Sequence, residues 1–212
     1  MVRKLNRRSN SRTDGRQPAD RRERRALATR QTILRAAAGV FRDRGFAATG
    51  MRDIARAADL SPGNLYYYFR SKADILYFCQ DHSVGRMLEA ARALRRRRLR
   101  PAERLRRAIT AHLLCTLDEL DGAAAHTEVD ALPPELRRRI VAKRDRYERA
   151  VRRMVAEGMR RRSFVKGDSA LVTRAILGAL NWTAKWYRPG GRLLPAAVAD
   201  AFATYLVRGL KQ

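Results

Sequence analysis

Cysteine is scarce in this chain: Cys79 and Cys115 are the two it has among 212 residues. Two thiols make no disulfide framework of the kind that staples small secreted domains. Histidine is almost as rare, with three residues. No GxGxxG, P-loop or GxSxG pattern occurs, so the familiar nucleotide-binding and nucleophile arrangements are missing and no enzyme is expected. No run of about eighteen apolar residues is present, which argues against a membrane-spanning helix. The basic N-terminus lacks the apolar stretch of a secretory signal, so a cytoplasmic protein is expected. Acidic residues are also short, at 21 against 47 basic ones, giving a formal net charge of +26 and a pI near 11.5. That excess suits a polyanionic partner. A chain-wide bias toward Arg and Ala explains the same excess, so charge supports nucleic-acid binding without establishing specificity.

What the chain does have is concentrated in TGMRDIARAADLSPGNLYYYFRSK, from Thr49 to Lys72. Met51, Ile54, Ala55 and Ala58 fall at helical spacing and give a short apolar stripe. Asp53 stands three residues after Gly50, where a carboxylate can accept a free backbone N–H of the first turn. Asp59 and Leu60 interrupt the pattern. Ser61 then offers a hydroxyl cap and Pro62 occupies a first helical position, where its missing N–H is not needed. Ser71 followed by Asp74 repeats the capping signal, so another helix starts at once. In the helix from Pro62, Leu65 and Phe69 face a core while Gly63, Asn64, Tyr67 and Tyr68 face outward. Three adjacent tyrosines cannot share one core face, because neighbours on a helix point about 100° apart. A helix that exposes Gly, Asn and Tyr in its first turns suits the major groove of DNA. Two short helices joined by a tight turn make a helix-turn-helix.

This segment, with the upstream run RQTILRAAAGVFRDRGFAATG, resembles the DNA-binding domain of the TetR family of bacterial transcriptional regulators. The resemblance covers residues 29 to about 78. It implies an all-α fold: an N-terminal three-helix DNA-binding domain with the helix-turn-helix, then a larger helical ligand-binding and dimerisation domain. Carried over by position, Asn64, Tyr66, Tyr67 and Tyr68 fall where the family contacts bases and phosphates. Lys72 falls where a lysine at the start of the fourth helix reaches phosphate. Met51 and Arg52 lie where backbone contacts are usual. Gly50 departs from the Ser or Thr often found there, which puts one capping and phosphate contact in doubt.

Residues 1–23 are polar and Arg-rich, too poor in apolar side chains to offset the entropy of ordering, and read as a disordered basic arm. Residues 24–70 read as the DNA-binding domain and 71–212 as the helical effector-binding and dimerisation domain. Helices are expected from about Lys72 to the Arg95–Arg98 cluster, from Pro101 to about Leu120, and from Glu135 to Arg162. Two more run from about Gly167–Asp168 to near Tyr187 and from Pro195 to about Leu210. DGAAAH (121–126) reads as a break.

The last two helices carry apolar stripes. Leu171, Ala175, Gly178 and Ala179 on one, and Phe202, Tyr205 and Leu206 on the other, fall where the resemblance implies a four-helix homodimer interface. Two motifs spaced one DNA turn apart would then read a near-palindromic operator in double-stranded DNA. The phrase GALNWTAKWYRPGGRL (178–193) resembles a subgroup that represses fatty-acid, aromatic-acid or steroid breakdown and is released by an acyl-CoA thioester. On that resemblance His112, Cys115, Tyr147, Asn181, Trp182 and Trp186 are the candidate effector-pocket residues. Cys79 with His82, and His112 with Cys115, share an i, i+3 spacing that suits metal ligands. No CxxC or HExxH accompanies them, and neither a metal nor a cofactor is assigned. The function expected is a sequence-specific, ligand-released transcriptional repressor. The alternative is a nucleoid-type protein held on nucleic acid by charge.

Overall fold

The computed structural model describes residues 18–117 and 128–211, and among them every regular element is an α-helix. The order is α1 (Pro18–Ala48), α2 (Met51–Ala57), α3 (Pro62–Tyr68), α4 (Lys72–Arg95), α5 (Pro101–Leu117), α6 (Pro134–Arg160), α7 (Ser169–Trp186) and α8 (Pro195–Arg208). Each start carries a local reason. Proline opens α1, α3, α5, α6 and α8, where its fixed φ suits the first turn. Asp168 caps α7 by accepting the N–H groups of Ala170 and Leu171. Where a disordered basic arm was expected through residue 23, Pro18–Glu23 belong to α1. Arg, Glu and Ala are good helix formers, so α1 propagates back to Pro18. Residues 1–17 of the expected arm and the DGAAAH break at 121–126 lie outside the described residues.

The chain turns out of α1 at Gly45, whose φ of 77° and ψ of 162° interrupt the helix. Glycine takes that left-handed φ without the steric cost a Cβ would bring. α1, α2 and α3 then close on one another and on the start of α4. Ile33, Phe41, Ile54 and Leu65 are among the fully enclosed side chains of this head.

The larger part is organised round α5, which packs against α4, α6, α7 and α8. Leu105, Ile109 and Leu113 bury there with Ile140 of α6 and Leu180 of α7. α4 belongs to both parts: its first turns meet α1 and its length runs along α5 and α6. Polar links fix the α4–α6 contact. Lys143 pairs with Asp81 at 2.7 Å, and Arg144 donates to the Gln80 side chain at 3.2 Å. The turn after α6 is held by Phe164, whose ring lies over Gly158, and by the Val165 N–H donating to the Leu210 carbonyl at 2.9 Å.

Candidate nucleic-acid interface and buried polar cluster

The turn between α2 and α3 is built from its caps. The Gly50 N–H donates to Asp53 Oδ2 at 2.9 Å, while the Asp53 N–H, which a hydroxyl at position 50 would accept, donates to the Gly50 carbonyl at 3.1 Å. At the far end of α2, Asp59 adopts φ 55° and the Leu60 N–H donates to the Ala55 carbonyl at 2.9 Å. This is a helix-terminating turn of the Schellman type, and Asp is among the residues that tolerate the left-handed region. Ser61 Oγ accepts the Asn64 N–H at 3.2 Å to start α3, and Ser71 Oγ accepts the Asp74 N–H at 3.1 Å to start α4.

These caps orient α3 with Leu65 and the following Phe69 inward and the rest of its surface outward. Gly63 and Asn64 are exposed, Tyr66 is 53% exposed and Tyr67 82%. Tyr68 is half-buried and meets the Tyr67 ring edge-on, with centroids 5.1 Å apart. That contact braces a phenol otherwise surrounded by solvent. At the start of α2, Arg52 is exposed and Met51 half-buried against the core. No Cβ at Gly63 would meet a neighbour within 4 Å, so the space before it stays open to whatever approaches.

Lys72 has a different occupation from the phosphate contact expected of it. Its Nζ donates to the carbonyls of Phe46, Ala47 and Thr49, at 2.9, 3.1 and 2.9 Å, and lies 4.6 Å from the centre of the Phe46 ring. An ammonium has three N–H donors, and all three are used. Lys72 therefore clasps the chain leaving α1 to the first turn of α4. No local pattern signals this, because the partners lie more than twenty residues away.

In the larger domain the structure gathers His112, Cys115 and Tyr147, all buried. His112 Nδ1 and the Tyr147 hydroxyl are 3.1 Å apart, while His112 Nε2 is buried without a hydrogen-bond partner. Burial lowers the His112 pKa from 6.5 to about 4, with the nearby Asn181 amide working weakly the other way. The imidazole is neutral at pH 7. Burial, with a smaller contribution from Cys115, likewise raises the Tyr147 pKa.

Trp182 and Trp186 depart from the pocket-wall expectation. Trp182 is 65% exposed, and Trp186 stacks on Phe202 of α8 with centroids 6.2 Å apart. The inward face of α7 is filled instead by Thr173, Ile176, Leu180 and Thr183. Helical periodicity then turns Leu171, Ala175, Gly178 and Trp182, spaced four, three and four residues apart, to the opposite, solvent-facing side. On α8, Tyr205 is exposed while Phe202 and Leu206 are half-buried. Ala179 of α7 is half-buried too. Among the described residues no group of three or more metal-ligating side chains converges, and no helix is long and apolar enough to cross a membrane.

Comparison with known proteins agrees with this architecture. A family model described as "Bacterial regulatory proteins, tetR family" matches residues 33–77. Another, "Tetracyclin repressor-like, C-terminal domain", matches residues 98–210. The "HTH-type transcriptional repressor KstR2" of Mycolicibacterium smegmatis is 28% identical, covering 92% of this chain and 93% of its own. The solved structure of the TetR-family regulator PfmR from Thermus thermophilus is 33% identical, covers 85% of this chain and 99% of its own, and superposes with a TM-score of 0.76. AibR, solved in complex with isovaleryl coenzyme A and operator DNA, shares the fold at 24% identity and a TM-score of 0.72, over 84% of this chain and 98% of its own. The head with its helix-turn-helix and the helical domain behind it thus both match, and the chain belongs to the TetR family of DNA-binding transcriptional regulators.

Proposed function

We propose that the protein is a cytoplasmic, non-catalytic repressor that binds a near-palindromic operator as a homodimer and leaves it when an acyl-CoA thioester binds. The observation that carries the reading is the outer face of α3. Gly63, Asn64, Tyr66 and Tyr67 stand in solvent on a helix whose inner face is locked by Leu65 and whose first turn is capped by Ser61. Asn can pair bidentately with adenine, the phenols can meet base edges or phosphates, and exposed amides at the start of α3 favour phosphate. Met51 and Arg52 at the start of α2 serve backbone contacts, and Tyr68 backs Tyr67. Lys72 enters this account as the clasp that sets the angle of the head, and it would need to release a carbonyl before reaching phosphate itself.

The reading divides the chain into a DNA-binding domain over 24–70 and an effector and dimerisation domain over 71–212. The solvent-facing stripe Leu171–Ala175–Gly178–Trp182, with Ala179, Phe202, Tyr205 and Leu206, is the proposed dimer face. Burying it against a second copy would remove apolar surface from water, at about 25 cal/mol per Å².

His112, Tyr147, Cys115 and Asn181 are proposed to meet the effector. The unpartnered Nε2 of His112 offers a thioester carbonyl a hydrogen bond where water is excluded. AibR, which shares the fold, was crystallised with an acyl-CoA and operator DNA, and this supports the ligand class. The lever is α4, whose two ends belong to head and effector domain. An effector that prefers a different α4 tilt shifts the spacing of the two heads and lowers DNA affinity. Charge-driven binding of any nucleic acid is the alternative. The test is selection of bound fragments from genomic DNA, followed by titration of acyl-CoAs against the selected operator. Release by one acyl-CoA at micromolar level, with no release by free CoA, is expected. Binding of all fragments alike, falling together as salt rises, would replace the reading with the charge-driven one.

A further inference from the structure

A second site is marked at the end of the molecule away from the head. The C-terminal half of α4, the start of α5 and the C-terminal half of α6 enclose a cleft of about 710 Å³. Its floor is apolar, with Leu88, Ala91 and Met154 buried beneath it. Its walls are arginine: Arg92 and Arg95 from α4, Arg96 just beyond its end, Arg104 from α5, and four more from α6. On α6, Arg146, Arg149 and Arg153 follow at i, i+3 and i+7 and so share one face, where like charges repel. The one acidic lining residue, Glu157, is already committed to Arg104 and to Arg161. No described acidic residue pairs with the α4 and α6 arginines that line the cleft. Arg104 itself is 11% exposed, and its Nε is buried without a hydrogen-bond partner.

We infer that this cleft binds a small anion carrying a diphosphate, of the nucleoside diphosphate class. Guanidinium forks match phosphate oxygens bidentately, and arginines drawn from three helices suit more than one phosphate. The volume lies in the range of small-ligand sites, and the apolar floor accepts the non-ionic part of such a ligand. DNA is a poor occupant. Arg92 stands twenty residues along α4 from Lys72, or about 30 Å at the helical rise, so a duplex on α3 does not reach it.

The test is isothermal titration of the full-length protein at 150 mM salt with inorganic pyrophosphate, ADP, AMP and adenosine. Pyrophosphate and ADP bind, AMP binds roughly tenfold more weakly than ADP, and adenosine does not bind. Arg149→Glu with Arg153→Glu weakens ADP binding by roughly a hundredfold. Arg95→Glu, on the opposite wall, weakens it as well and serves if the double variant unfolds. The same charge change at Arg138 and Arg152, which lie outside the cleft on α6, leaves it intact. Absence of ADP binding, or equal losses in the cleft and control variants, overturns the inference. The site stands apart from the effector proposed above. Loss of the acyl-CoA response with ADP binding retained would remove only the effector reading.

Discussion

Protonating His112 should unfold the protein from within the helical part built round α5. Its folded pKa of about 4 lies below the unfolded value of 6.5, so the unfolded chain binds the proton more tightly. Stability from this residue is therefore complete above pH 6.5, falls as pH drops through the window from 6.5 to 4, and is fully lost below it. At roughly 1.4 kcal/mol per pH unit, the gap amounts to about 3 kcal/mol, a sizeable share of a typical domain's stability. Burial is the cause, and the hydrogen bond with Tyr147 gives the neutral ring one partner while Nε2 has none. The assay is urea unfolding at fixed protein concentration from pH 7.5 to 4.5, for the native protein and for His112→Gln. Carboxylates titrate in both, so the difference between the two curves isolates the imidazole. The native protein should lose about 2.5 kcal/mol more than the variant over that range. Parallel curves would refute the reasoning, since they would mean His112 already meets water in the folded state.

Other outcomes follow from particular contacts. Gly158→Ala places a Cβ 2.0 Å from the Phe164 ring, which is itself buried, and should cost about 3 kcal/mol in chemical denaturation. Lys72→Met leaves three carbonyls without their ammonium and should destabilise the head by about 2 kcal/mol, read as faster amide exchange in α1–α3 than in α5. Trp182→Asp with Tyr205→Asp places charge on the exposed α7–α8 face and should yield a folded monomer by sedimentation, with weakened operator binding.

The helix-turn-helix was readable because its determinants are local. Asp53, Ser61, Pro62 and Ser71 each act within three residues, and the structure shows their caps where spacing placed them. The starts of α5 and α8 at Pro101 and Pro195 were legible for the same reason. What escaped depends on packing between distant segments. Nothing near Lys72 announces that its ammonium will close on Phe46, Ala47 and Thr49. The α7 stripe was visible as apolar, yet periodicity alone did not say which side meets α6. The structure turns Ile176 and Leu180 inward and leaves Leu171 and Trp182 out. The arginine cleft needs three helices brought together, and a chain rich in arginine everywhere hides such a grouping.

The central claim, that the outer face of α3 reads DNA, is tested most directly by fluorescence anisotropy on the selected operator with Asn64→Ala and Tyr67→Ala. Both side chains are exposed and hold no part of the core, so the variants should fold and dimerise normally. Each should lose operator affinity by roughly a hundredfold, because a dimer removes the contact twice. Their binding to bulk DNA should change little. Operator affinity equal to the native protein's in both variants would contradict the account and move the reading surface off α3.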